Sequence, residues 1–157
     1  FWETVTVEKL EQILDSEIDI NQRSSSGFTA LLYAAGLTSY SEVINLLIEK
    51  GAEIEAAAGS DWTPLMFSAG TNSQKEITEQ LISHNAKVNA VDSRGYTVLM
   101  TAAKWSADEE IIKMLTDHLA LQMYTSFKRH TTNTLGKERN LKRMVSLENK
   151  QQHLGFT

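Results

Sequence analysis

The residues best suited to chemistry here are four histidines, His84, His118, His130 and His153, in a chain with 20 acidic residues and no cysteine. Without cysteine there is no thiolate nucleophile, no disulfide framework and no Cys-ligated zinc or iron–sulfur site. His84 and His118 stand 34 residues apart. In a repeating chain they would hold equivalent places in neighbouring units, about 10 Å apart, whereas two ligands of one ion must each come within about 2 Å of it. That spacing favours cations at helix C-termini over a metal pair. Glu109 and Glu110 read as a solvated face, since a glycosidase pair needs a cleft to hold it. No Gly-rich phosphate loop, Gly-x-Ser-x-Gly elbow or His-Glu-x-x-His occurs. The expectation is therefore no catalytic residue, no metal and no cofactor.

What the chain does contain is a repeat. Gly27-Phe28-Thr29-Ala30-Leu31-Leu32, Asp61-Trp62-Thr63-Pro64-Leu65-Met66 and Gly95-Tyr96-Thr97-Val98-Leu99-Met100 align at a step of 34 residues. The pairs Ala34-Ala35, Ser68-Ala69 and Ala102-Ala103 keep that step, as do Glu42, Glu76 and Glu110, then Leu47, Leu81 and Leu115. Each unit reads as helix–turn–helix–loop. The threonine caps the first helix, and Pro64 falls where its missing N–H costs nothing. The small pair lets neighbouring helices approach. Val43, Ile44, Leu47 and Ile48 sit at helical spacing in a second helix that Gly51 closes. Thr29, Thr63 and Thr97 are predicted to open helices, with Ala35, Ala69 and Ala103 buried between units. Phe28, Trp62 and Tyr96 form a row just before each threonine, and Trp105 adds a fourth ring. Stacking would line them into a ladder, either for binding or simply to pack each loop on the next.

These residues resemble the ankyrin repeat family. The match is to its Gly-x-Thr-Pro-Leu-x-x-Ala-Ala core, its Glu-Val-Ile-x-Leu-Leu second helix and its Gly-Ala-x-x-Asn exit, the last carried by Gly51-Ala52-Glu53-Ile54 and Ala86-Lys87-Val88-Asn89. The resemblance implies an all-α ankyrin-repeat solenoid. Residues 1–26 would form an N-terminal capping unit, 27–60, 61–94 and 95–120 three repeats, and 121–157 a basic helical tail or cap. It also implies a concave face made by the loop before each threonine and the exposed end of the first helix. The partner-binding residues would then be Arg23, Ser25, Phe28 and Leu37, then Ser60, Trp62 and Thr71, then Ser93, Arg94, Tyr96, Lys104 and Trp105. A protein–protein interaction module follows by the same resemblance, as a scaffold or as an inhibitor that covers an enzyme.

The departures are specific. The family's step is 33, and the extra residue here falls between the two helices, at Gly36–Ser41, Gly70–Lys75 and Lys104–Glu109. The family's histidine gives way to Leu32, Met66 and Met100, exchanging hydrogen bonds for apolar packing. Ala58 replaces the usual aspartate and Asp61 the loop glycine, so the middle loop is expected to be less regular. Thr78 and Gln80 interrupt the apolar helix of the same unit, marking it as the weakest. A 34-residue step resembles bacterial ankyrin proteins.

After Ala120 the pattern fails. No glycine lies near residue 119, so the helix beginning near Asp108 is predicted to run on through Leu119, Met123 and Phe127, and residues 119–147 to be helical in large part and cap the array. Residues 1–120 carry a net −10 and residues 121–157 a net +5. The acidic body favours a protein partner with a basic surface, through steering. The alternative is nucleic-acid or anionic-surface binding through Lys128, Arg129, His130, Lys137, Arg139, Lys142 and Arg143. No apolar run reaches the roughly 20 residues of a membrane span. The expectation is a cytoplasmic monomer. Because the sequence starts at Phe1, a processed N-terminus and a secreted or periplasmic location stay open.

Overall fold

Each of the three predicted threonines has extended backbone and its side-chain oxygen accepts a backbone N–H three residues on: Thr29 from Leu32, Thr63 from Met66 and Thr97 from Met100. A cap of this kind contributes about 1 kcal/mol. In the computed structural model, which describes residues 7–14, 18–72, 74–106 and 108–131, the threonines open α2 (Ala30–Leu37), α4 (Pro64–Thr71) and α6 (Val98–Thr101). The second helices are α1 (Val7–Leu14), α3 (Ser41–Glu49), α5 (Lys75–Ser83) and α7 (Glu109–Thr131). Their first residues, Val7, Ser41, Lys75 and Glu109, fall 34 apart, so α1 is the second helix of a unit that precedes the three repeats.

The chain divides into two compact units, Phe1–Leu119 and Ala120–Thr157. In the first, α2 packs on α3 and α4, α4 on α5 and α6, and α3 on both α1 and α5. One apolar core runs through the stack. It holds Leu31, Ala34, Ala35, Ile44, Leu47, Leu65, Met66, Ala69, Ile77, Leu81, Val98, Ala102, Ile111 and Leu115, all at 0–1% exposure. Each large aliphatic side chain buried this way contributes about 1.5–3 kcal/mol. Of the second unit, the described residues continue α7 as far as Thr131, with Leu121 and Met123 exposed. The expected helix over residues 132–147 lies outside the described residues.

Close approach of the first helices explains two glycines. A Cβ added to Gly70 would lie 2.9 Å from the Thr101 methyl, and one added to Gly36 would lie 3.2 Å from Thr71 Oγ1. The third residue of that row is Lys104. The same difference explains why the third repeat departs from expectation. Ala35 and Ala69 are fully buried, but Ala103 is exposed, and Met100 is 49% exposed where Leu32 and Met66 are buried. These positions face the following repeat, and among the described residues no repeat follows the third. The inserted turn residue is also handled differently there: Ala102–Ser106 form a π-helical turn, which absorbs an extra residue without ending the helix.

The helix ends and loops follow from backbone chemistry. Gly51 and Asn85 take left-handed φ values of 91° and 67° just past α3 and α5. Leu119 occupies the third place in that row, and α7 runs through it to Thr131, 23 residues in all, as the missing glycine predicts. The middle loop closes differently from its neighbours, as expected: Gly27 and Gly95 donate to the Ser24 and Asp92 carbonyls at 2.8 and 3.0 Å, whereas the middle loop takes a second left-handed residue, Gly59 at a φ of 65°. The N–H groups of Ser24, Ala58 and Asp92 donate to the carbonyls of Phe28, Trp62 and Tyr96 at 2.9, 3.2 and 2.9 Å. In the outer loops Ser24 Oγ and Asp92 Oδ1 accept the return bond from Phe28 and Tyr96. Ala58 has no side-chain acceptor, and its own carbonyl takes the Trp62 N–H at 3.1 Å. Asp61 adopts a φ of 64°, the left-handed conformation that glycine supplies at Gly27 and Gly95.

Thr78 does not breach the core. It is fully buried, its hydroxyl donates to Ser68 Oγ at 3.2 Å, and Ser68 Oγ donates to the Leu65 carbonyl at 3.1 Å. Where the outer repeats pair Ala34 with Ile44 and Ala102 with Ile112, the middle one pairs two hydroxyls. Thr78 therefore carries no unpaired hydroxyl into the core, and Gln80 is half-buried.

Candidate functional site: an aromatic ladder across the loops

The loops before the threonines are pinned to one another, and this fixes the rings they carry. Arg23 Nη1 donates to the carbonyls of Gly27 and Ala57 at 2.7 and 2.8 Å. Ser93 donates through both its N–H and its hydroxyl to the Ser60 carbonyl, each at 3.0 Å. Asn21 bridges to Gly51 and Glu53, and Glu55 accepts the Lys87 N–H one step further on. At the helix ends, the buried Asn72 amide donates to the Ala35 and Thr38 carbonyls at 3.0 and 2.8 Å.

On this frame Phe28, Trp62, Tyr96 and Trp105 join one run of rings. Tyr33 stacks on Phe28 with centroids 4.9 Å apart, Phe28 meets Phe67 at 5.4 Å, and Phe67 meets the Trp62 ring edge-on at 5.1 Å. Trp62 then meets Trp105 at 5.2 Å, and Trp105 meets Tyr96 at 5.4 Å. The predicted row does not stack on itself. Rings interact at centroid separations of about 4.5–7 Å, so neighbours in the row need a ring between them. Phe67 and Trp105 provide it. Phe28 and Phe67 also cover a small second core of Leu32, Ala56 and Ala58.

Asp92 anchors the far end. It is 5% exposed and accepts five hydrogen bonds: from the N–H groups of Arg94 and Tyr96, from Arg94 Nε and Nη2, and from the Trp62 indole at 3.0 Å. Burial pushes its pKa up, but the Tyr96 and Arg94 N–H groups, the Arg94 guanidinium and the Trp62 indole outweigh it and hold the carboxyl at about 2. The carboxylate thus ties the Trp62 ring to the loop before Thr97. Two cations lie over the last rings. Arg94 Cζ is 5.5 Å from the Tyr96 centroid and 5.7 Å from that of Trp105. Lys104 Nζ is 4.5 and 4.4 Å from the same rings and donates to the Tyr96 hydroxyl at 2.9 Å.

Of the other residues named from sequence, Ser25 and Leu37 are exposed and outside the ladder, and the Thr71 hydroxyl is turned back onto its own helix at the Phe67 carbonyl. Sequence reasoning missed Tyr33 and Phe67, although both lie four residues after a capping threonine in one 34-residue row. It also read Asp92 only as a turn residue. His84, at the end of α5, lies 3.0 Å through Nε2 from Asn45 Oδ1 of the preceding repeat. Among the described residues no three His, Asp or Glu side chains converge as metal ligands, and no helix is long and apolar enough to cross a membrane.

Stacked helix–turn–helix units joined by hydrogen-bonded loops define a helical-repeat solenoid unit with a ring-lined face. Family models agree on which kind. The model described as ankyrin repeat matches residues 26–58, and the one described as ankyrin repeats (3 copies) matches residues 57–125. The chain belongs to the ankyrin repeat family, whose repeats are in general protein–protein interaction modules. No curated protein matches it.

Proposed function

We propose that this chain binds a protein partner across the aromatic ladder, acting as a scaffold or as an inhibitor that covers an enzyme surface. The observation that carries the reading is the six-ring run itself. Its rings are held by inter-loop hydrogen bonds yet remain partly open, with Trp105 39% exposed. Rigid, half-exposed aromatics bury much area on binding at little entropic cost, and they are enriched in binding hot spots. Arg94 and Lys104 extend the same surface, while Ser25, Leu37 and Thr71 would form its rim. The net −10 of residues 1–120 supports a partner with a basic surface, drawn in by long-range attraction to a monomeric chain.

The test is affinity capture with the wild-type chain and with Tyr96→Ala/Trp105→Ala, after circular dichroism shows that both fold. The expected result is a partner retained by the wild type and lost by the variant. Equal retention by both would place binding elsewhere.

A further inference from the structure

The charge at the end of the ladder is opposite to that of the body around it. Lys104 stands where the first two repeats have Gly36 and Gly70, and it lies between the Tyr96 and Trp105 rings. Among the described residues its one hydrogen-bond acceptor is the Tyr96 hydroxyl, and no carboxylate is within ion-pair reach of it. Arg94 turns Nε and Nη2 onto Asp92, which leaves Nη1 for something outside. Asp92 is itself saturated by five donors, so it cannot also neutralise Lys104. Trp105, which both cations overlie, is 39% exposed, and Met100, four residues before Lys104, is 49% exposed.

We propose that this end of the ladder receives a carboxylate of the partner, an Asp or Glu flanked by apolar residues, with its oxygens between Lys104 Nζ and Arg94 Nη1 and its neighbours on Trp105 and Met100. The inference rests on the ladder being the binding face, and it adds what sets the register on that face. The net-negative body steers a basic partner surface from a distance, and the carboxylate fixes where along the row it settles. Complementary charge selects this occupant over the others. A two-fold dimer with its axis at this end of the ladder would bring Lys104 to Lys104. The chain's own residues 137–143, with four cations and one acid, would meet like charge. A nucleic-acid strand would bring many phosphates up to a body of −10 for the sake of two cations.

The test uses random linear dodecapeptides displayed on phage, selected on the wild-type chain and on Lys104→Met. The expected result is enrichment of peptides with an Asp or Glu beside apolar residues, absent from the Lys104→Met selection. Changing that acid to its amide in a selected peptide should weaken binding about fivefold, the range of a partly exposed ion pair. Enriched peptides without a shared acid, or indifferent to Lys104→Met, would overturn the inference and leave the ladder as the binding face. No enrichment above that of Tyr96→Ala/Trp105→Ala would overturn both. A 12-nucleotide oligothymidylate that displaces the selected peptides at physiological salt would overturn it in favour of phosphate recognition.

Discussion

At the residue scale, two buried polar groups show how local chemistry departs from the repeat without leaving a hydroxyl unpaired. Ser68 and Thr78 replace an alanine and an isoleucine together, and each is tolerable only with the other. Ser68→Ala alone leaves the Thr78 hydroxyl buried without its acceptor and should cost about 1–3 kcal/mol. Ser68→Ala/Thr78→Val removes both groups and should cost clearly less than the sum of the single changes in urea unfolding. Asp92 makes a matching prediction in pH. Its pKa falls from an ordinary 3.8 to about 2 on folding, so the unfolded chain binds the proton more readily. Its contribution is complete above 3.8 and is lost as pH falls through about 2. Asp92→Asn should therefore lower stability at neutral pH and flatten the acid limb of the stability profile over that window. An unchanged acid limb would show that other carboxylates control it. Neither arrangement was legible from composition. Thr78 looked like a defect because its partner lies ten residues away, on the facing helix. Asp92 looked like a turn former because its contact with Trp62 lies 30 residues back along the chain.

At the element scale, the sequence was far more transparent. A strict 34-residue step fixed the starts of α3, α5 and α7, and threonine caps fixed those of α2, α4 and α6. The absence of a glycine at residue 119 foretold the run of α7 to Thr131. What pattern could not supply was the consequence of a missing neighbour. Ala103 and Met100 repeat faithfully in sequence, yet their burial depends on a following unit. The glycine row carried that information: Gly36 and Gly70 are small because a helix crosses them, and Lys104 is long because none among the described residues does. Gly70→Ala would place a Cβ 2.9 Å from the Thr101 methyl. It should cost about 1–3 kcal/mol despite alanine's better helix propensity. Lys104→Ala, at the equivalent place, should cost less, about 0.5–1 kcal/mol for its contacts with the Tyr96 and Trp105 rings. Equal effects at the two positions would mean that crowding between first helices does not set this row.

At the scale of the whole molecule, the core runs along the stack while the rings run across the loops. The binding reading depends on keeping those two surfaces distinct. Part of the ladder was visible in the row Phe28, Trp62, Tyr96, but its continuity was not, because Phe67 and Trp105 bridge rings that cannot reach one another. The most direct test is amide hydrogen exchange of the chain, free and bound to the partner that affinity capture identifies. Exchange is expected to slow in residues 23–28, 58–62 and 92–96 and in the turn at 102–106, with α3 and α5 unchanged. Slowing confined to α3, α5 or α7, with the loops unaffected, would contradict the binding reading.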